Sequence, residues 1–386
     1  MGKLRGVFSI LDGRNSKLDA LRGISILLVL TTHGLFSLKF LGLHTFLSEK
    51  NLAILQSNGY LGVSIFFVVS GYLITRSLLN KGEGSEQKQE SFDIIEDVPK
   101  FYAKRFARIF PPLVFLFLIT FIFNISTLDF LSQFDLDGLH VFFQAIVHAF
   151  TFTYNNFYFF GPGGKVEGLG HLVPLWSLSI EEVFYLIWPF LILVFRKRRI
   201  ILVVLFLLFF YSVLYRVEYG SGALYSYFGC VDMLSIGCFT ALIQESSTVQ
   251  KFLKFSQIGL LSTSLLIFYF LVSFDIHTNY VIAPSLIGLT SGMFILFASA
   301  ERTTLKSKVG FMQLLAPLRL LGFLSYELYL FHLIFWRLFY KFDVTHGTAW
   351  LSTLLPVTVA IFVCLVMHLY MFEPARRITY EFLKGN

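Results

Sequence analysis

The chain has 386 residues, 56% of them hydrophobic and only 14% charged. A soluble domain carries charge on about a quarter of its residues, so composition excludes that class and describes a polytopic membrane protein. The net charge of +7 does not single out nucleic acid, because the basic residues fall at the ends of apolar segments, where topology signals sit.

The first apolar segment runs from Ala20 to His33 and holds two polar anchors, Arg22 and His33. On a helix rising 1.5 Å per residue they stand roughly 16 Å apart, one at the inner headgroups and the other at mid-membrane. An ionisable residue at that depth is a functional candidate. Arg22 has a plainer reading as a snorkelling arginine, and His33 as a neutral imidazole bonded to a neighbouring helix. Asp19 either caps the helix start or pairs with the Arg22 guanidinium. His33 and the absence of a small-residue cleavage site argue against a signal peptide here.

Further runs long enough to cross about 30 Å of hydrocarbon centre on residues 59–79, 109–127, 175–195, 200–215, 224–243, 257–274, 279–299, 316–338 and 349–371. With the first segment, near 21–38, these predict an all-α bundle of about ten transmembrane helices. Gly59, Gly62 and the Ser70-Gly71 pair mark close helix packing in the second span. Residues 139–160 are apolar but interrupted by His140, Gln144, His148, Asn155 and Asn156. If they do not span, both termini and most of the 31 Lys and Arg residues lie inside, as the positive-inside rule requires. They therefore read as a re-entrant or interfacial helix within an external segment of about residues 129–174. A polar cytoplasmic loop is expected at about 80–108. The C-terminus follows closely on the last span, so the expectation is a single membrane domain over 1–386 without an appended soluble domain, in a bacterial-type inner membrane.

Three further clusters carry chemistry. Lys104, Arg105 and Arg108 fall together at the cytoplasmic start of the third span, and the i, i+3 spacing gives the two arginines a common side. Paired guanidiniums suit phosphate, although an anionic-lipid anchor has the same composition. Glu181 and Glu182 open the 175–195 span beside Trp176 and Tyr185. They point about 100° apart on a helix, so at most one faces a given partner. A carboxylate inside the bundle can orient an imidazole and stabilise its cation; an interfacial position beside the aromatic belt is the alternative. His332 closes the stretch from Ser325 and is either a substrate contact or a core histidine, while Glu327 could pair with His332 or Arg22. Cys230, Cys238 and Cys364 have neither CxxC nor metal-ligand spacing, and His140, His148 and His171 form no metal motif.

In order along the chain, Leu18-Asp19-Ala20-Leu21-Arg22-Gly23 with His33, Gly62 to Ile74, Arg105-x-x-Arg108, Trp176 to Glu182 and Ser325 to His332 resemble the membrane acyltransferase-3 family, whose members O-acylate cell-surface polysaccharides. The resemblance covers Leu18 to about Arg377. It implies an acyl-CoA donor, usually acetyl-CoA, with Arg22 and His33 essential and the arginine pair near the donor. Ser64 stands where an acidic residue is frequent, and Glu327 where a small polar one is.

The expected site therefore comprises His33, Arg22, Glu181 and Glu182 as catalytic groups. Arg22, Lys104, Arg105 and Arg108 hold the donor, and Asp19, Ser70, Trp176, Tyr185, Glu327 and His332 are substrate contacts. No metal is expected. The imidazole would deprotonate an acceptor hydroxyl or accept the acyl group itself. Candidate acceptors are O-antigen of lipopolysaccharide, another lipid-linked glycan, capsule, peptidoglycan or a small glycoside. The principal rival is a transporter or flippase of an envelope glycan precursor, which would not consume acetyl-CoA. A non-catalytic scaffold would leave Arg22 and His33 dispensable.

Overall fold

The structure, a computed structural model, describes residues 15–33, 45–79, 94–125, 136–161, 167–195, 197–244, 246–253, 256–300, 315–341 and 349–384. These residues are helical throughout, with no strand among them. In chain order the helices are α1 (Ser16–Thr32), α2 (Glu49–Ser57), α3 (Gly59–Leu79), α4 (Ile94–Ile125), α5 (Leu136–Phe150), α6 (Tyr154–Phe159), α7 (Leu175–Phe195) and α8 (Arg198–Tyr219). They continue with α9 (Tyr227–Ile243), α10 (Ser247–Phe252), α11 (Ser256–Ser273), α12 (Ala283–Ala300), α13 (Ala316–Phe323), α14 (Ser325–Lys341), α15 (Ala349–Met367) and α16 (Glu373–Lys384).

By length and composition, five stretches among the described residues are apolar and long enough to cross a membrane, or six if the broken pair α13 and α14 is one span. The protein is a multi-pass membrane protein. Three local features differ from the sequence expectation. The segment 80–108, expected as a cytoplasmic loop, is helical from Ile94, and its earlier part, from 80 to 93, lies outside the described residues. At 32 residues, α4 is about 48 Å long, more than the hydrocarbon requires, and its third and fourth turns carry Lys104, Arg105 and Arg108 on an ordered helix. The run 316–338 is not continuous but breaks at Leu324. The start of α1 is capped by Asn15, whose Oδ1 accepts from the backbone N–H of Lys17 and Leu18. Asp19 is instead a buried residue of the first turn.

Residues 139–160 fold as two pieces, α5 and α6. The turn between them contains Phe152, at φ 60°.

The chain divides into two compact units, with the division inside α7 and again at the start of α14. In the first unit, α3 is packed against α1 and α9 through small residues. A Cβ on Gly62 would come within 2.6 Å of the Ser25 carbonyl, and one on Gly71 would overlap the Leu234 carbonyl. Such backbone approach is how membrane helices gain dispersion contacts without a hydrophobic driving force. The same unit buries Arg216 of α8 against Asp232 of α9, with Nη2 to Oδ2 at 2.8 Å and both side chains fully buried. Nη1 also donates to Asp232 Oδ1 at 3.0 Å, making the pair bidentate. Ser212 and Ser285 each accept from the guanidinium and donate to the carboxylate, and the carbonyls of Val281 and Gly229 accept the remaining donors. A charge pair in hydrocarbon survives only with its hydrogen bonds met in this way. All three cysteines are buried free thiols.

The second unit comprises α4 to the first half of α7, then α14 to α16, together with His33. Phe331 of α14 stacks on Phe372 at 5.9 Å and meets Phe115 of α4 edge-on at 5.9 Å. Between α15 and α16, residues His368–Phe372 form a π-helical turn, a register shift common at functional sites. There His368 Nδ1 lies 2.6 Å from Glu327 Oε1. Glu327 therefore has neither of the partners expected for it, His332 or Arg22, as this hydrogen-bond partner.

Candidate active site

Pro111 and Pro112 stand inside α4. Lacking N–H groups, they deprive the carbonyls of Ala107 and Arg108 of their helical donors. The helix is thus polar along its backbone just where its basic side chains lie. Arg105 projects between two aromatic faces, with its guanidinium carbon 5.5 Å from the Phe101 ring centroid and 5.2 Å from that of Tyr185. Stacking holds a planar cation by its faces and leaves its N–H edge for an anion. Arg108 lies 5.8 Å over the ring of Tyr326, whose hydroxyl donates to the Ile109 carbonyl at 3.3 Å. Lys104 is exposed on the same helix.

Beside Arg105 the second unit has a partly open cavity of about 210 Å³, walled mainly by Phe106, Ile109, Phe110, Leu113 and Phe150, with Arg105, Glu182 and Tyr185 supplying its polar edge. Glu182 is 8% exposed and has no hydrogen-bond partner among the described residues. A buried carboxyl in that state costs free energy until a ligand or a proton satisfies it. Glu181 points differently, as the helical angle demands, and accepts a hydrogen bond from Tyr185 Oη at 3.0 Å. Of the two adjacent carboxylates, Glu182 lines the cavity. A volume below the ~300 Å³ of a typical small-molecule pocket admits a narrow chain rather than a nucleotide.

A second cluster in this unit centres on His332, which is 1% exposed. Its Nδ1 lies 2.6 Å from the Tyr329 carbonyl. A carbonyl only accepts, so Nδ1 carries the proton and Nε2 bears a lone pair. Nε2 is buried without a hydrogen-bond partner among the described residues. The ring of His33, exposed just past the end of α1, packs against it with centroids 4.9 Å apart and planes tilted by 49°. Tyr329 Oη and Ser177 Oγ, 2.6 Å apart, tie α14 to the start of α7. One residue before Ser177, Trp176 meets Phe159 edge-on at 6.3 Å.

The second unit therefore brings His33 to His332, and Arg105 to Glu182 and Tyr185. Arg22, Asp19 and Ser70 belong to the first unit, where Arg22 is half-buried and Asp19 buried on α1. Sequence reading missed Tyr326 under Arg108, Tyr329 as the orienter of His332, and His368 as the partner of Glu327. Among the described residues no group of three or more His, Cys, Asp or Glu side chains gathers as a metal site.

A helical membrane protein with an arginine-edged cavity and a histidine pair is the class that the fold and site define. The chain belongs to the acyltransferase-3 family, described as an acyltransferase domain, which matches residues 15–369. It is 32% identical over 181 residues to the peptidoglycan O-acetyltransferase OatA of Listeria monocytogenes, covering 47% of this chain and 24% of that protein. It is 28% identical over 337 residues to the putative peptidoglycan O-acetyltransferase YrhL of Bacillus subtilis, covering 82% and 47%. It is 29% identical over 294 residues to the O-acetyltransferase OatA of Staphylococcus aureus, covering 72% and 46%. The chain thus spans about half or less of the length of these curated relatives. No solved structure matches it.

Proposed function

We propose that the protein is a membrane O-acetyltransferase that moves an acetyl group from cytoplasmic acetyl-CoA to a hydroxyl of an envelope polysaccharide. The observation that carries this reading is the pairing of an exposed imidazole, His33, with the buried, single-tautomer His332, in a chain of this family. In the same unit lies a narrow cavity edged by Arg105 and Glu182. Arg105 and Arg108 meet the donor's phosphates, with Lys104 and Arg22 adding positive charge. The cavity takes the slender arm of the donor, with Glu182 accepting from an amide N–H and Tyr185 walling it. His33 acts as general base on the acceptor hydroxyl, a role worth about 10²–10⁴-fold in rate, or as the nucleophile. Asp19, Ser70, Trp176 and Glu327 remain candidate acceptor contacts. The names of the relatives favour peptidoglycan as the acceptor; O-antigen and other lipid-linked glycans present the same hydroxyl chemistry.

Counting α1, α9, α11 and α12, each 17 or 18 residues long, as spans beside the five long ones and the broken pair gives about ten crossings. In this topology both termini are cytoplasmic in a bacterial inner membrane, and the basic segments lie on the inner side.

The test uses the full chain in lipid nanodiscs with acetyl-labelled acetyl-CoA and, in parallel, peptidoglycan fragments and O-antigen oligosaccharides. Label on a glycan hydroxyl, lost in His33→Ala, is the expected result. Glycan movement without donor consumption would identify a transporter and overturn the reading.

A further inference from the structure

The unit that holds His33 contains a second imidazole whose chemistry is set by its surroundings. His332 is locked as the Nδ1–H tautomer by the Tyr329 carbonyl at 2.6 Å, so its Nε2 is a hydrogen-bond acceptor. That atom is buried and has no hydrogen-bond partner among the described residues, a state that costs about 1–3 kcal/mol. A histidine kept only to fill space would be replaced at lower cost by an aromatic hydrocarbon. The ring it faces is that of His33, at 4.9 Å between centroids. A centroid separation of 4.9 Å is short enough for an N–H of one imidazole to reach a nitrogen of the other, directly or through one water, when the rings are turned toward each other. The orienting carbonyl is itself anchored, since the Tyr329 hydroxyl lies 2.6 Å from Ser177 Oγ at the start of α7.

We propose that His332 is a positioning residue for the reaction at His33: its Nε2 accepts a hydrogen bond from one nitrogen of His33, so that the other nitrogen presents its lone pair to the acceptor hydroxyl. This inference rests on the acetyltransferase reading and deepens it. As the acceptor oxygen bonds to the acyl carbon, its proton passes to the free nitrogen of His33. The carbon–sulfur bond breaks, and the thiolate of the donor takes that proton from His33, which returns to its starting state. Through the transfer His332 Nε2 accepts from the His33 cation and stabilises it, as the carboxylate of a hydrolase triad does for its imidazole. His332 itself neither gains nor loses a proton.

The experiment separates this role from packing. H332N keeps an N–H near the Tyr329 carbonyl and removes the Nε2 acceptor; H332Q returns an acceptor oxygen to the Nε2 position. In nanodiscs H332N is expected to lower kcat about tenfold to a hundredfold, the range for removing a group that orients a reacting one, with the donor KM within about twofold. H332Q should recover part of the loss. A readout independent of turnover is the rate at which diethyl pyrocarbonate modifies His33, followed by mass spectrometry. That rate should fall severalfold in H332N and return in H332Q. A wild-type kcat in H332N, or a lost kcat with unchanged His33 modification in both variants, would overturn the proposal. If wild-type protein consumes no acetyl-CoA, the functional reading fails, and the modification rates still decide whether the two imidazoles are coupled.

Discussion

Two arginines in this molecule are treated in opposite ways. Arg216 in the first unit is fully buried, paired bidentately with Asp232 and surrounded by two hydroxyls and two carbonyls that accept its remaining donors. Arg105 in the second unit is held by two ring faces at the edge of a cavity, near a Glu182 carboxyl with no hydrogen-bond partner among the described residues. The first arrangement is complete without a ligand, and its charges serve the fold. The second keeps its hydrogen-bonding capacity in reserve, which is costly in a low-dielectric interior and is explained by a ligand that supplies the missing groups. Completeness of the hydrogen-bond set, rather than burial or charge, separates the structural arginine from the candidate donor-binding one.

The largest effect is expected where the set is complete. Arg216→Met leaves Asp232 buried without its counter-charge, a loss of about 3–5 kcal/mol, seen as a large fall in the thermal midpoint in detergent. Combining it with Asp232→Leu removes both charges and should restore most of that stability. A double variant no more stable than the single one would show that the pair does more than satisfy itself. Glu182→Gln tests the other region and should behave in the opposite sense. Its thermal midpoint stays near wild type or rises, because a carboxyl without partners is replaced by a neutral amide. Acetyl transfer falls about tenfold to a hundredfold, mainly through a raised donor KM, because the neutral amide holds the donor's N–H less strongly than a carboxylate, whose hydrogen bond contributes about 1.5–3 kcal/mol. Unfolding of this variant without a separate loss of turnover would erase the distinction between the regions.

That distinction was only partly legible in the chain. Arg105, Arg108, Glu181, Glu182, His33 and His332 stand out because each is a polar residue at the end or inside of an apolar run. The helical angle between adjacent glutamates implied that at most one faces a given partner, but not which; rotation about α7 decides that, and Glu182 is the one that lines the cavity. Arg216 passed unnoticed because its partner, Asp232, lies on another helix beyond a 3₁₀ turn (Gly220–Tyr225), so no sequence spacing links them. His368 was hidden likewise: only the π-helical turn brings it to Glu327, and nothing in the apolar run 349–371 marks that shift. The break at Leu324 has no proline to announce it, and Gly322 lies two positions earlier.

A smaller effect sharpens how Arg105 is held. Arg105→Lys keeps the charge but loses the planar face that stacks on Phe101 and Tyr185 and the forked donors that grip a phosphate. The expected result is a rise of about tenfold in donor KM, near 1.4 kcal/mol, at nearly unchanged kcat. Binding of acetyl-CoA by isothermal titration checks this without turnover. Equal affinity in the lysine variant would mean that Arg105 acts as a point charge.

The smallest effect separates the two jobs of Tyr185. Its ring lies 5.2 Å under the Arg105 guanidinium, and its hydroxyl donates to Glu181 Oε2 at 3.0 Å. Tyr185→Phe removes only the hydroxyl, and a single hydrogen bond of this kind contributes about 0.5–1.5 kcal/mol. Because the ring remains, the donor KM should stay within about twofold, since the interaction lost involves Glu181, which does not line the cavity. Tyr185→Leu removes the ring face as well and should raise the donor KM severalfold through loss of a cation–π contact of about 0.5–2 kcal/mol. If the phenylalanine variant instead weakens donor binding as much as the leucine one, Glu181 and not the stacked ring is what fixes Arg105. The comparison with Arg216 would then be drawn between two ion-paired arginines differing only in how close their carboxylates stand.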